Sequence, residues 1–132
     1  PLRRQRQMCI RDRIAAWRDE IEQAALAAGA VPIGAGAPRL PNTTCLALPG
    51  VRAETQLIGL DMAGICVSAG SACSSGKVTA SHVLLAMGQG ELAGQAIRVS
   101  LPWNADAQMV RAFQVAYEPM ARRALRKTAQ SA

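Results

Sequence analysis

A chain of 132 residues is long enough for one domain that buries about two thirds of its unfolded-chain surface, and too short for two. Half of the residues are apolar, yet no apolar run approaches the roughly 20 residues of a membrane-spanning helix and the N-terminus lacks an apolar signal-peptide core, so a soluble protein with no membrane attachment is expected. The net charge of +6 is concentrated at one end: the first 13 residues hold five arginines against one aspartate, leaving +2 for the other 119, and none of the four aromatic residues falls among them, which argues against nucleic-acid binding through base stacking.

Residues 5–13 (Gln-Arg-Gln-Met-Cys-Ile-Arg-Asp-Arg) read like a translated sequencing-adapter remnant. Residues 1–13 are therefore expected to be artefactual or disordered, Cys9 to carry no function, and the domain to occupy residues 14–128. From 12 to 28 the apolar positions Ile14, Trp17, Ile21, Ala24, Ala25 and Ala28 recur at steps of three and four, the stripe of an amphipathic helix that Gly29 can end. A short extended piece over 31–33, a Gly/Ala/Pro linker over 34–38 and a strand over 43–48 follow. A helix is predicted over 54–62, stopped by Gly64, and a short buried strand over 65–67. Further on, Thr79 or Ser81 can cap a helix reaching Met87 and closed by Gly88. Alternation over 96–101 predicts a strand with Ile97, Val99 and Leu101 on one face and Arg98 and Ser100 on the other. The last helix is predicted over about 105–126, with Asn104 as N-cap, a buried stripe of Met109, Val110, Phe113, Ala116, Tyr117, Met120 and Leu125, and a bend or interruption at Pro119. Together these elements predict an α/β fold of the α+β sandwich kind, with helices on one face of a short, largely antiparallel sheet.

The four cysteines, Cys9, Cys45, Cys66 and Cys73, include no CxxC pair and the chain has one histidine. Neither a zinc site nor a disulfide framework is suggested, and a reducing cytoplasm fits. Cys45 and Cys66 fall in strand patterns and are expected in the core. Cys73 differs, because it stands in Ser68-Ala69-Gly70-Ser71-Ala72-Cys73-Ser74-Ser75-Gly76. Small, turn-forming neighbours cannot cover a thiol, so this segment suits a solvent-reachable reactive cysteine on a loop, the alternative being a polar loop that merely contains one. Lys77 could lower the thiol pKa. A P-loop is excluded, since Gly70 and Gly76-Lys77 enclose five residues and Val78 follows, where four and then Ser or Thr are needed. A cysteine phosphatase is excluded too, because Thr79 stands where its phosphate-clamping arginine would be.

The Cys73 segment is followed by Ser81-His82-Val83-Leu84-Leu85-Ala86-Met87-Gly88 and Ile97-Arg98-Val99-Ser100-Leu101, and preceded by Leu40-Pro41-Asn42-Thr43 and Pro49-Gly50-Val51-Arg52-Ala53-Glu54. In this order and spacing, over most of residues 28–126, the chain resembles the C-terminal small domain of a cysteine desulfurase, a pyridoxal-phosphate enzyme of the class V aminotransferase type. The resemblance implies that Cys73 takes sulfur from L-cysteine as a persulfide, releasing L-alanine, and delivers it for iron–sulfur cluster assembly or other sulfur transfer. It implies that Arg98 binds the substrate α-carboxylate, a task suited to a planar, permanently charged fork. An arbitrary strand arginine would instead serve a surface salt bridge. The Ser-Ala-Cys-Ser-Ser-Gly form resembles the long-loop subgroup, in which the persulfide can also contact a nascent iron–sulfur cluster on a scaffold partner, a transient metal contact at Cys73. About twelve loop residues would give an out-and-back reach of up to about 20 Å.

The family's aldimine-forming lysine, ring-stacking histidine and phosphate site belong to an upstream large domain. No residue here is expected to bind pyridoxal 5'-phosphate, His82 is expected to be structural, and the chain alone is expected to be inactive. Homodimerisation would follow for the longer enzyme. Pro102 stands where the family more often has Gly, which could stiffen the strand exit beside Arg98. Two other functional classes remain open: a stand-alone persulfide carrier or partner-binding module, and an inert fragment with apolar surface exposed.

Overall fold

A computed structural model describes residues 2–69, 85–88 and 90–131. The first helix, α1 (Leu2–Ala27), contains no glycine or proline and is rich in Arg, Gln and Ala, all compatible with helix. It therefore runs back through residues 2–13, which were expected to be artefactual or disordered, although the described side chains over that stretch are all exposed. Its buried face begins at Ile14 and continues through Ile21 and Ala25. Gly29, at φ +105°, closes it in a Schellman motif: the Ala30 N–H donates to the Ala25 carbonyl at 3.0 Å and the Gly29 N–H to Leu26 at 3.1 Å.

The chain then forms β1 (Val31–Ile33), β2 (Thr43–Ala47) and helix α2 (Ala53–Met62). Gly64, at φ +83°, repeats the Schellman ending, with the Ile65 N–H reaching Leu60 and the Gly64 N–H reaching Asp61, both at 2.9 Å. Pairing resumes only at β3 (Ser68–Ala69). The short buried strand expected over 65–67 is thus displaced to 68–69, and Cys66, expected in the core, is exposed. It precedes the ladder, and no strand among the described residues pairs with it. Leu85 and Ala86 are helical and Gly88 has φ +77°, while the start of that expected helix lies outside the described residues.

After β4 (Ala96–Ser100), helix α3 (Ala107–Ser131) completes the fold. Its N-cap is Asp106, whose Oδ1 accepts the Met109 N–H at 2.9 Å, and not Asn104. Pro119 does not interrupt it. Proline deprives the Val115 carbonyl of its helical donor, but Val115 faces solvent, where water can serve that oxygen. Met109 is exposed, and Ala121 and Ala124 join the buried stripe.

All strand pairs are antiparallel, in the order β1-β2-β4-β3. One face of the sheet carries Leu46, Ile97 and Val99 into a core shared with α1, α2 and α3, as the α+β expectation required. In that core Tyr117 stacks on Phe113 with ring centroids 5.1 Å apart. The Tyr117 hydroxyl is buried without a hydrogen-bond partner among the described residues, and burial pushes its pKa upward. Among the described residues no helix is long and apolar enough to cross a membrane.

A buried polar cluster fastens the linker after β1 to α1. Glu22, 7% exposed, accepts two hydrogen bonds from the Arg39 guanidinium, at 2.7 and 3.2 Å, and one from the Thr44 hydroxyl at 2.8 Å. Arg39 holds the Glu22 carboxyl below its ordinary range, against the opposing effect of burial. The depressed folded-state pKa contributes stability above the unfolded-state value of 4.5, and that contribution is lost as pH falls through the folded-state value. Glu22→Gln is expected to lower unfolding free energy at pH 7 by about 2 to 3 kcal/mol and to weaken the stability loss below pH about 4.5, as read by urea titrations across pH.

Helices α2 and α3 meet at Gly59, where an added Cβ would lie 2.6 Å from Met120 Cγ. Gly59→Ala is therefore expected to destabilise by about 1 to 3 kcal/mol despite the better helix propensity of alanine. In a Met120→Ala background the same change should cost less or become favourable, a non-additivity that a double-mutant cycle measures.

Candidate functional site

Strand alternation delivers Arg98 to the sheet face opposite the helices. Ile97 and Val99 are buried, whereas Arg98 and Ser100 are exposed, as the sequence pattern predicts. Register then supplies neighbours that no sequence pattern named: Arg98 stands opposite Cys45 on β2 and opposite Ser68 on β3. Directly opposed residues share a face with Cβ atoms about 4.5 to 5.5 Å apart, so a thiol, a guanidinium and a hydroxyl form a row across the open face. The adjoining row pairs Thr43 with Ser100, their hydroxyl oxygens 3.3 Å apart. Toward β1 the face closes under a small apolar cluster of Ile33, Ala47, Ala93 and Ala96.

This arrangement leaves a permanent cation within a small-residue, hydroxyl-bearing surface, between Cys45 on one side and Ser68 on the other. Arg98 makes no ion pair with any carboxylate among the described residues, so the surface salt bridge that would otherwise explain it is not formed there. Its fork is open to an external carboxylate, which two parallel N–H donors can engage. Cys45 is half-buried, less than the core placement expected of it. Burial raises its thiol pKa, and the nearby Arg98 charge opposes that only in part, so Cys45 is held in its protonated, weakly nucleophilic form at neutral pH.

Cys73, Lys77 and His82 lie outside the described residues. The covalent chain nevertheless bounds one distance: Ser68, opposite Arg98, precedes Cys73 by five residues, a span of at most about 18 Å when fully extended. Cys9 and Cys66 are exposed. Among the described residues no group of three or more His, Cys, Asp or Glu side chains could hold a metal ion.

Pyridoxal phosphate needs a lysine for covalent attachment near the carboxylate-binding cation. The one lysine among the described residues, Lys127, lines a groove between α2 and α3 on the helix side of the sheet, while Arg98 stands on the other face. The described residues do not fit that group.

No protein-family model matches the chain. The chain is 43% identical over 104 residues to a cysteine desulfurase of Cereibacter sphaeroides, covering 74% of this chain and 26% of that protein. With a putative cysteine desulfurase of Bacillus subtilis (strain 168) it shares 43% identity over 74 residues, covering 54% of this chain and 20% of the relative. Among solved structures it superimposes on a NifS-like protein from Rickettsia africae with a TM-score of 0.71 and 32% identity, covering 83% of this chain and 28% of that one. A second NifS-like protein gives a TM-score of 0.69 at 28% identity, over 84% of this chain and 28% of the other. The chain thus spans about a quarter of the length of the Cereibacter sphaeroides protein and of the two NifS-like proteins. Sequence shared with cysteine desulfurases, carried on the fold of NifS-like proteins, places the chain in the cysteine desulfurase family as the counterpart of the C-terminal portion of its members.

Proposed function

We propose that this chain is the sulfur-accepting, substrate-carboxylate-binding part of a cysteine desulfurase, with Cys73 as the sulfur acceptor and Arg98 as the carboxylate ligand. The observation that carries this is Arg98 itself: an unpaired fork among the described carboxylates, on an open face, five residues of chain from Cys73 at its β3 neighbour. The Cys73 thiolate attacks the sulfur of L-cysteine, and an S–S bond forms as the substrate C–S bond breaks. The bond's electron pair and a proton end on the β-carbon, giving L-alanine and a Cys73 persulfide, so that atoms and electrons balance. Stabilisation of that electron pair is the chemistry pyridoxal phosphate supplies, and we assign its binding to a part of the longer enzyme outside this chain.

The persulfide would then pass to an acceptor thiol or to an iron–sulfur scaffold protein, with a transient contact between the Cys73 persulfide and a cluster being assembled there. The enzyme would act in the cytoplasm as a homodimer. Alone, the chain would neither bind the cofactor nor release sulfur from cysteine.

A chimera tests this, with the chain replacing the matching segment of the Cereibacter sphaeroides cysteine desulfurase to which it is 43% identical. The chimera is expected to bind pyridoxal phosphate, form alanine from L-cysteine and carry a persulfide at Cys73. Cys73→Ser should abolish the persulfide and reduce alanine formation at least about a hundredfold, in line with loss of a nucleophile. Arg98→Ala should raise KM for L-cysteine by about ten- to a hundredfold, the size of one charge-assisted interaction, with Arg98→Lys intermediate. Undiminished turnover by a Cys73→Ser chimera that still binds the cofactor would refute the assignment. So would sulfide release by the 132-residue chain alone.

A further inference from the structure

The face of the molecule remote from Arg98 carries a second surface that the sulfur chemistry leaves unused. Along the seam of α2 and α3 two adjoining concavities, of about 420 and 620 Å³, share Gly59, Ala63 and Arg123 in their walls. Small residues line the seam: Gly59 on α2 and Ala63 just past its end stand with Ala112, Ala116 and Ala124 of α3 in its walls. Large apolar side chains flank it in solvent, with Ile58 62%, Met62 83% and Val115 69% exposed. Burial of three such side chains on one seam is a driving force that the described part of the chain leaves unused.

Charge decides what could cover it. The charged side chains lining the two concavities are Arg111, Arg123 and Lys127, with no acid among them. None of the three pairs with a carboxylate among the described residues, unlike Arg122 with Glu118 and Arg52 with Glu54. Arg111, Val115, Pro119, Arg123 and Lys127 follow one another at steps of four, a single ridge of α3. From Arg111 to Lys127 is 16 residues, about 24 Å of helix at roughly 1.5 Å per residue. A second copy of this chain, itself at +6, would bring like charge to like.

We propose that the α2/α3 groove docks an acidic amphipathic helix of a partner protein, about four to five turns long, whose apolar face covers Ile58, Met62 and Val115 and whose carboxylates meet the arginine–lysine ridge. Docking itself does not depend on the sulfur-transfer assignment; its use does. Met62, which lines the groove, precedes Ala69 by seven residues, at most about 25 Å of extended chain, so a helix seated there lies within that length of chain from the segment leading to Cys73, where a sulfur acceptor would need to be held.

The probe is a fluorescein-labelled 18-residue helical peptide with leucine at i, i+3, i+4 and i+7 positions and glutamate elsewhere, titrated with the chain and followed by anisotropy. A scrambled peptide of the same composition and a lysine-for-glutamate version serve as controls. The acidic amphipathic peptide is expected to bind, and the two controls to bind at least tenfold more weakly. Both the triple variant Arg111→Glu, Arg123→Glu, Lys127→Glu and, separately, Met62→Asp should lower affinity at least tenfold with unchanged circular dichroism, and salt should weaken binding by the unaltered chain. The altered positions are exposed, so folding is expected to survive. Failure of the unaltered chain to bind, equal binding of the scrambled peptide, or undiminished affinity in the folded variants would overturn the proposal. Sedimentation showing a dimer that Ile58→Asp dissociates would also overturn it, giving the groove to a second copy. None of these readouts involves sulfur transfer, so a failed groove and a failed Cys73 assignment give different results.

Discussion

The pairing of β2 with β4 couples residues about fifty positions apart, Thr43 with Ser100 and Ala47 with Ala96, and the outward placement of Arg98, with the neighbours it meets, depends on its register. Side chains alternate across a strand, so a slip of one residue would send Arg98 into the core and Ile97 into solvent. The slip is opposed by the burial of Leu46, Ile97 and Val99 against the helices. It is also opposed at the ladder's ends, where the Leu48 N–H donates to Gln95 at 3.1 Å and the Leu101 N–H to Asn42 at 2.8 Å. The face on which Arg98 stands is therefore set by hydrophobic burial on the opposite face.

Much of this was legible in the residues, because the signals were local. Alternation through Ile97, Arg98 and Val99 placed the arginine outward, and glycines 29 and 64 marked helix ends that proved to be closed by the same hydrogen-bonding motif. What stayed hidden was non-local. Nothing in the sequence shows that Cys45 and Ser68 would flank Arg98, because register is decided by the whole sheet. The Glu22–Arg39–Thr44 cluster was invisible for the same reason, although an acid beside Ile21 and ahead of Ala25 on an otherwise apolar stripe was a signal that such a partner had to exist. Local chemistry also misled at Pro119 and Asn104: a solvent-facing turn absorbs the proline, and an aspartate two residues later offers the better cap.

Two parts of the surface have opposite character, and the sheet separates them. On one side stands a lone guanidinium among hydroxyls and a protonated thiol, suited to a small carboxylate. On the other lies an apolar seam with a cationic ridge, suited to a macromolecule. The net charge of the chain is thus not one undirected property. Its share on α3 is ordered along a groove, whereas the arginines ahead of Ile14 are exposed on a stretch of α1 whose described side chains bury nothing.

The topology has one more consequence, in loop entropy. The segment containing Cys73 falls between β3 and β4, which the sheet joins edge to edge, so the chain from Ala69 to Ala96 is a closed excursion of 26 intervening residues. The entropic cost of closing such an excursion grows only with the logarithm of its length, and doubling it costs roughly 0.6 kcal/mol. By this term alone a change in the length of the excursion costs little, although its described end is tied into the fold through buried Ala93 and the Gln95 carbonyl, while a single-residue change within β4 would invert a face. The length of chain between Ala69 and Ala96 and the face on which Arg98 stands are therefore set by different terms, the first by loop closure and the second by register.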